Sequence, residues 1–286
     1  MYQEIKSKRI ERPSWLKVKA PGGESYANIH KMIRTKSLHT VCEEAHCPNI
    51  GECWGHGTAT FLILGDICTR NCRFCAITTG KPQPVNLNEP LNVALAVKNM
   101  NIKHVVVTSV DRDDLPDGGS EIWAETIRKI REINPSVTVE VLIPDFLGNK
   151  EQLQKVIDER PDILNHNIET VPRLYKIVRP KADYQRSLDV LNEAAKQNLK
   201  TKSGLMVGLG ETKEEVFDVL KDLYLHNVKI VTIGQYLQPT KKHLEVVRFV
   251  EPKEFDEYKK YGLNLGFQYI ESGPLVRSSY HAERHL

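Results

Sequence analysis

Residues 60–75 read TFLILGDICTRNCRFC. A short apolar run, 60–64, is ended by Gly65, and three cysteines follow at once as C-x3-C-x2-C. An apolar run of that length bounded by glycine reads as a buried strand. The same pattern then repeats along the chain. Strands are expected over 104–110 (HVVVTSV), 138–143, 162–168, 202–207 and 229–237. Helices are expected over 88–100, 120–133, 151–159, 184–197, 212–226 and 253–265. The second of these opens with Ser120 as N-cap and sets Ile122, Trp123, Ile127 and Ile130 on one face. In the first, Leu91, Ala94 and Leu95 form the expected apolar face. About six strand–helix units with near-continuous apolar strands make an α/β chain with a parallel sheet covered by helices. A partial (β/α) barrel and a doubly wound sheet fit alike. In both, chemistry collects at the carboxyl ends of the strands, where the loop carrying Cys68, Cys72 and Cys75 sits.

Composition narrows the function classes. Apolar residues make up 40% of 286, which is ordinary for a globular chain. No run of 18 apolar residues exists, so no membrane span is expected. Lys and Arg number 40 against 37 Asp and Glu, a net charge of +3 that is too weak to argue for nucleic acid. The opening MYQEIKSKRIERPSWLK lacks an apolar leader core and carries Glu4 and Glu11, unlike a secretory or transit peptide. All six cysteines lie between 42 and 75. Such clustering in a long chain favours metal ligation in a reducing compartment, the cytoplasm, over a disulfide framework.

Thiolates are soft ligands that suit zinc or iron–sulfur clusters. Structural zinc takes four closed ligands, whereas Cys68, Cys72 and Cys75 are three. Their spacing can wrap one face of a [4Fe–4S] cubane and leave one iron open to a substrate. Arg70 and Arg73 in the same loop are expected to favour thiolate. The competing reading is a zinc knuckle completed by His46 or His56. Upstream, Cys42, Cys47 and Cys53 form C-x4-C-x5-C, a second set of three. On spacing alone, a zinc site completed by His46, His56 or Glu52 stays open there.

The octamer from Cys68 to Cys75, with aromatic Phe74 before the last cysteine, resembles the signature of the radical S-adenosylmethionine superfamily. Together with the upstream triad, CPNIGECW (47–54), DRDDLPDGG (111–119), HNIETV (166–171), QYLQPTKKH (235–243) and RSSYH (277–281) are similar to the lipoyl synthase family. Agreement runs from about Cys42 to His281. The clearest departure is Glu245, where proline is expected, in a loop read as structural.

The resemblance implies a TIM-like partial (β/α)6 barrel over 60–266. An N-terminal extension, 1–59, would carry a cluster motif, and a C-terminal segment, 267–286, would close over it. It implies two [4Fe–4S] clusters and S-adenosylmethionine. The cluster on Cys68, Cys72 and Cys75 would bind the amino and carboxylate groups of S-adenosylmethionine, whose reductive cleavage gives a 5′-deoxyadenosyl radical. The auxiliary cluster on Cys42, Cys47 and Cys53 would take Ser279 oxygen as fourth ligand. It would give two sulfurs to C6 and C8 of an octanoyl chain. That chain would sit on a lipoyl carrier, the H protein or the lipoyl domain of a dehydrogenase-complex acyltransferase. Ferredoxin or flavodoxin would supply electrons. Serine oxygen is harder and more easily displaced than thiolate, which suits a cluster meant to be taken apart. Unactivated C–H bonds lie beyond acid–base chemistry and need a radical cofactor.

Other candidates sit at expected strand ends. Phe74 is a candidate for the adenine, or a core aromatic. Ser109, Asn165, Asn167 and Glu169 are candidates for the ribose or methionine groups, or strand caps. Gly118, Gly119 and Gly208 either free backbone for the cosubstrate or make tight turns. Lys202, Arg179 and Arg186 are cations for carboxylate contact, or solvated. Two other function classes compete: a different sulfur-inserting or methylthio-transferring radical enzyme, and a two-cluster electron carrier. Carriers close each cluster with four protein ligands, which two triads do not supply. A zinc-binding structural protein is third.

Overall fold

The computed structural model describes residues 11–18, 21–35, 38–45, 47–55 and 59–285. His46 and His56, the histidines weighed for zinc, lie outside the described residues.

One eight-stranded sheet organises the chain. Its strands are β1 (His39–Thr40), β2 (Thr60–Ile63), β5 (His104–Ser109), β6 (Thr138–Leu142), β7 (Ile163–Asn165), β8 (Lys200–Val207), β9 (Ile230–Gln235) and β10 (Tyr269–Gly273), in that spatial order. All neighbours pair in parallel except β1, which runs antiparallel to β2. The order has two ends, so the sheet is an open, partial barrel. A separate parallel pair, β3 (Ile67–Cys68) and β4 (Thr78–Thr79), brackets the cysteine loop. Every residue of β2 and β9 is buried, as a parallel sheet covered by helices requires.

Six helices follow six strands: α4 (Glu89–Asn99), α5 (Ser120–Ile133), α6 (Lys150–Asp158), α8 (Tyr184–Lys196), α9 (Lys213–Leu225) and α10 (Pro252–Leu265). Local chemistry sets their ends. Thr212 and Glu215 form a reciprocal capping box on α9. Asp183 caps α8 and Asn149 caps α6 through side-chain oxygens. Gly266, at φ 109°, ends α10 in the left-handed region. The N-cap of α5 is Gly119 rather than Ser120, which lies inside the first turn. A Cβ at Gly119 would stand 2.5 Å from Leu64 Cδ1 with φ at 84°, so both the turn and the packing call for glycine. The buried face of α4 also differs from expectation. Leu91 is exposed, and Val93, Ala94, Ala96 and Val97 face the core.

The N-terminal segment is structured. Helix α1 (Glu24–Thr35) buries Ile29 and Ile33. Tyr26 packs on fully buried Trp54 of α3 (Ile50–Gly55), with ring centroids 5.0 Å apart. A four-residue helix α2 (Val41–Glu44) follows β1 and carries Cys42. Past α10, β10 adds a seventh parallel strand that the alternating pattern did not announce. Another four-residue helix, α7 (Tyr175–Val178), leads to Arg179.

Candidate cluster-binding site

The loop after β2 is held by one buried cation. Arg70 bonds Asp113 with two nitrogens, at 2.8 and 2.7 Å, and Asp145 with the third, at 2.8 Å; Asp111 stands 3.4 Å away. Thr69 adds a bond from its hydroxyl to the Asp111 carbonyl at 2.9 Å. The loop is thereby tied to the carboxyl ends of β5 and β6. The expected role of the loop arginines holds only weakly, with Arg70 a minor influence lowering Cys72. Three carboxylates meet the charge of Arg70, and Arg73 is exposed. Burial raises the Cys72 thiol, and the chief cation opposing that rise is Arg179, which donates to the Asn167 carbonyl at 2.8 Å and to Tyr175 Oη at 3.1 Å.

A second brace comes from the 235–243 segment. His243 Nε2 donates to the Cys75 carbonyl at 2.9 Å, while Thr240 Oγ1 bonds His243 Nδ1 at 2.9 Å. Leu244 N–H donates to the Arg73 carbonyl at 3.1 Å. The departure at Glu245 is an exposed position beside this brace.

The upstream triad is built from short helical turns. Thr40 caps α2 by accepting from Glu43 N–H. Cys47 N–H then donates to the Cys42 carbonyl at 3.0 Å, and Cys53 N–H to the Asn49 carbonyl at 2.9 Å. The C-terminal tail folds back onto these turns. Asn49 Nδ2 donates to the Leu275 carbonyl at 2.7 Å, and Tyr280 Oη to Glu52 at 3.2 Å. Thr60 Oγ1 donates to Ser279 Oγ at 2.8 Å. Half-buried Arg277 acts electrostatically on Cys47. Glycine at 234 admits the tail: a Cβ there would stand 2.1 Å from the Val276 carbonyl oxygen.

Both triads open into one cavity of about 600 Å³. Its wall includes all six cysteines, Ser278 and Ser279, and also Phe74, Ser109, Asn167, Glu169 and Arg179. Burial pushes the Cys75 thiol up to about 12 and the Cys68 thiol to about 11, the latter with help from Asp111. Burial, followed by the nearby Cys47, raises Cys42 to about 11. Thiols so placed give up their protons readily only to a metal. Among the described residues no three Cys, His, Asp or Glu side chains converge on a single metal-ion position. A cubane binds each thiolate through a different iron and does not ask for one. Orphaned polar atoms suit a polar cosubstrate as well: Ser109 Oγ, Asn167 Oδ1 and Arg179 Nε are buried without hydrogen-bond partners. Glu169 holds φ at 68°, a sparsely populated backbone for a non-glycine residue.

Other candidates lie off the cavity. Lys202 Nζ is 2.8 Å from Glu140 Oε1, with both side chains fully buried. Asn165 donates to the same oxygen at 3.0 Å. Lys202 is thus fully engaged, whereas Asn165 keeps its Oδ1 buried without a partner, off the cavity wall. Arg186 pairs with Asp145 at 2.8 Å. Gly118 and Gly119 form the turn into α5. The Gly208 N–H is taken by Glu211 Oε1 at 2.5 Å, closing the turn between β8 and α9. Asp111, Asn49 and His243 lie in stretches quoted for the family resemblance but had no role assigned there, and Asp145 and Gly234 were not singled out at all. Their partners lie far away in the chain, and no local spacing marks them.

The model of the radical SAM superfamily matches residues 62–223, and that of the N-terminal domain of lipoyl synthase matches residues 2–47. The chain is 58% identical over 276 residues to the lipoyl synthase of Rubrobacter xylanophilus, covering 96% of this chain and 86% of that protein. It is 56% identical to the lipoyl synthase of Caldicellulosiruptor saccharolyticus, covering 96% and 97%. Streptococcus suis SuiB, solved bound to S-adenosylmethionine, has a similar fold with a TM-score of 0.60 at 9% identity. That match covers 79% of this chain and 54% of SuiB.

Proposed function

The chain belongs to the lipoyl synthase family of the radical S-adenosylmethionine superfamily, and on that premise we propose that it inserts sulfur at C6 and C8 of an octanoyl group bound to a lipoyl carrier protein. The observation that carries this reading is the single cavity shared by both cysteine triads and Ser279. When bound, two [4Fe–4S] clusters and S-adenosylmethionine supply the adenosyl radical that removes hydrogen from those carbons and the sulfur that replaces it.

This chain's residues hold and shield that chemistry. Cys68, Cys72 and Cys75 would bind the cluster that meets the cosubstrate, and Cys42, Cys47, Cys53 and Ser279 the auxiliary one. Phe74, Ser109, Asn167 and Glu169 would line the cosubstrate's side, with Arg179 offsetting negative charge near Cys72. Apolar Leu62, Val106, Leu142 and Val276 line the same cavity. They suit an alkyl chain and exclude the water that would divert a radical. In this reading residues 1–59 supply the auxiliary triad, 60–266 the barrel and 267–286 the closing tail. The acyl group arrives on the H protein or an acyltransferase lipoyl domain, and electrons arrive from ferredoxin or flavodoxin. The compartment is the cytoplasm, whose reducing poise suits a chain with six closely clustered cysteines. No described helix is long and apolar enough to cross a membrane.

The test is incubation of the reconstituted protein with S-adenosylmethionine, dithionite and an octanoylated carrier domain, read by mass spectrometry. A carrier gaining two sulfur atoms is expected. Turnover of S-adenosylmethionine that leaves the octanoyl group unchanged would refute the reading.

A further inference from the structure

The tail's firmest link to the cosubstrate wall is made by Ser278, the neighbour of the expected ligand. Ser278 Oγ accepts from Asn167 Nδ2 at 2.6 Å. The second proton of that amide goes to Glu169 Oε1 at 3.0 Å. Asn167 Oδ1 is left buried with no partner. The wall behind them is shaped for this contact. A Cβ at Gly204 of β8 would stand 2.9 Å from Asn167 Oδ1 and 3.3 Å from Ser278 Oγ. One residue further on, Ser279 Oγ is held by Thr60 at 2.8 Å. A single rigid amide therefore lies between the cosubstrate side of the cavity and the residue beside Ser279.

The amide's orientation follows from its neighbours. The NH₂ group donates to Glu169 Oε1, so the amide oxygen faces away from it. An unsatisfied buried carbonyl oxygen is costly, and it takes a donor such as a hydroxyl or ammonium group. A donor on Oδ1 fixes the amide and polarises its N–H groups, which strengthens the bond to Ser278.

We propose that Ser278 is a positioning residue which, through Asn167, couples occupancy of the S-adenosylmethionine site to the placement of Ser279. This rests on the assignment of the two sites given above. Coupling of this kind is reciprocal. Cosubstrate binding steadies the tail, and removing the Ser278 hydroxyl weakens cosubstrate binding. Loss of one neutral hydrogen bond corresponds to about 2- to 10-fold in affinity.

The test uses reconstituted full-length enzyme. Two quantities are measured: the dissociation constant for S-adenosylmethionine by calorimetry, and hydrogen exchange of residues 276–285 with and without it. In the wild type, the cosubstrate should slow exchange in that segment. Ser278→Ala, at wild-type iron and sulfide content, should lose that response and bind S-adenosylmethionine about 2- to 10-fold more weakly. Ser278→Thr, which keeps the hydroxyl, should restore both. In an Asn167→Ala background, Ser278→Ala should have no further effect on affinity, because the link is already cut. A Ser278→Ala tail that responds like wild type, or full additivity in the cycle, would overturn the coupling and leave the site assignment standing. A wild type that does not bind S-adenosylmethionine would overturn both.

Discussion

Replacing Gly234 with alanine drives a methyl group into the seat of the C-terminal tail. The new Cβ would stand 2.1 Å from the Val276 carbonyl oxygen, 3.0 Å from its carbon and 3.3 Å from Arg277 Nη1. Ordinary contact begins at 3.4 Å, so Val276 must retreat by about 1.3 Å. Backbone on a strand and backbone of a docked tail cannot yield as a flexible side chain would. Overpacking of this kind costs about 1–3 kcal/mol. The chemical consequence is larger, because misplacing a reacting group by about 1 Å can cost about 100-fold in rate. Ser278 and Ser279 follow directly in the chain, so the displacement falls on the auxiliary site. At saturating S-adenosylmethionine, Gly234→Ala should keep cleavage near the wild-type rate, while lipoyl product falls by about 100-fold. Gly262→Ala is the control. Its Cβ would meet Ile270 Cδ1 at 1.9 Å, a crowding between α10 and β10 that falls on a side-chain tip and lies away from the tail's seat. That variant should lose stability without separating cleavage from insertion. The assay quantifies 5′-deoxyadenosine and carrier product in the same quenched samples. Wild-type insertion by Gly234→Ala would refute the claim that tail seating governs sulfur transfer.

Three further perturbations separate the parts of the site. Replacing Cys68, Cys72 and Cys75 with alanine should abolish 5′-deoxyadenosine while leaving up to one cluster per chain. The same change at Cys42, Cys47 and Cys53 should spare cleavage and eliminate lipoyl product, as chromatography of both products will report. Ser279→Ala should keep three-thiolate cluster binding and slow insertion; Ser279→Cys should hold the cluster more firmly and release sulfur poorly, read by iron loss under chelator and by product yield. Acid should destabilise the fold in two stages, followed by urea unfolding under anaerobic conditions. Burial, aided by Arg179, lowers His166 from 6.5 to about 4, so its contribution is complete above pH 6.5 and is lost as pH falls through 4. Desolvation raises Glu140, but Lys202 and His104 outweigh it and hold the carboxyl at about 2, so its contribution fades from pH 4.5 downward to 2. At neutral pH, Glu140→Gln should cost about 3–5 kcal/mol by stranding buried Lys202, and the pair Glu140→Leu with Lys202→Met should cost far less.

The barrel was legible because its strands are β-branched runs and its helices carry their own caps. Residues 104–110 and 212–226 needed no tertiary information, and α5 has the predicted bounds. Strand β10 was not legible. Its Tyr-Ile-Glu-Ser-Gly alternates and ends polar, because it is an edge strand whose inner side meets the tail. Helix α1 did carry a signal, Ile29 and Ile33 one turn apart, diluted by exposed polar neighbours. At the site, the six cysteines announced themselves by spacing and Ser279 only through the family resemblance, whereas their supports did not. Lys202 reads as a free cation until Glu140, 62 residues earlier, is seen 2.8 Å away. Arg70 reads as a cation for thiolates, but Asp113 and Asp145 take most of its charge and leave it a minor influence on Cys72.

The central claim is that the auxiliary site on Cys42, Cys47, Cys53 and Ser279 is the source of the inserted sulfur. The direct measurement reconstitutes the enzyme with heavy-isotope sulfide, removes the excess, and runs a single turnover on an octanoylated carrier in unlabelled buffer. The account predicts a carrier with two heavy sulfur atoms, and none from the variant lacking Cys42, Cys47 and Cys53. Unlabelled product from the wild type, or labelled product from that variant, would contradict it.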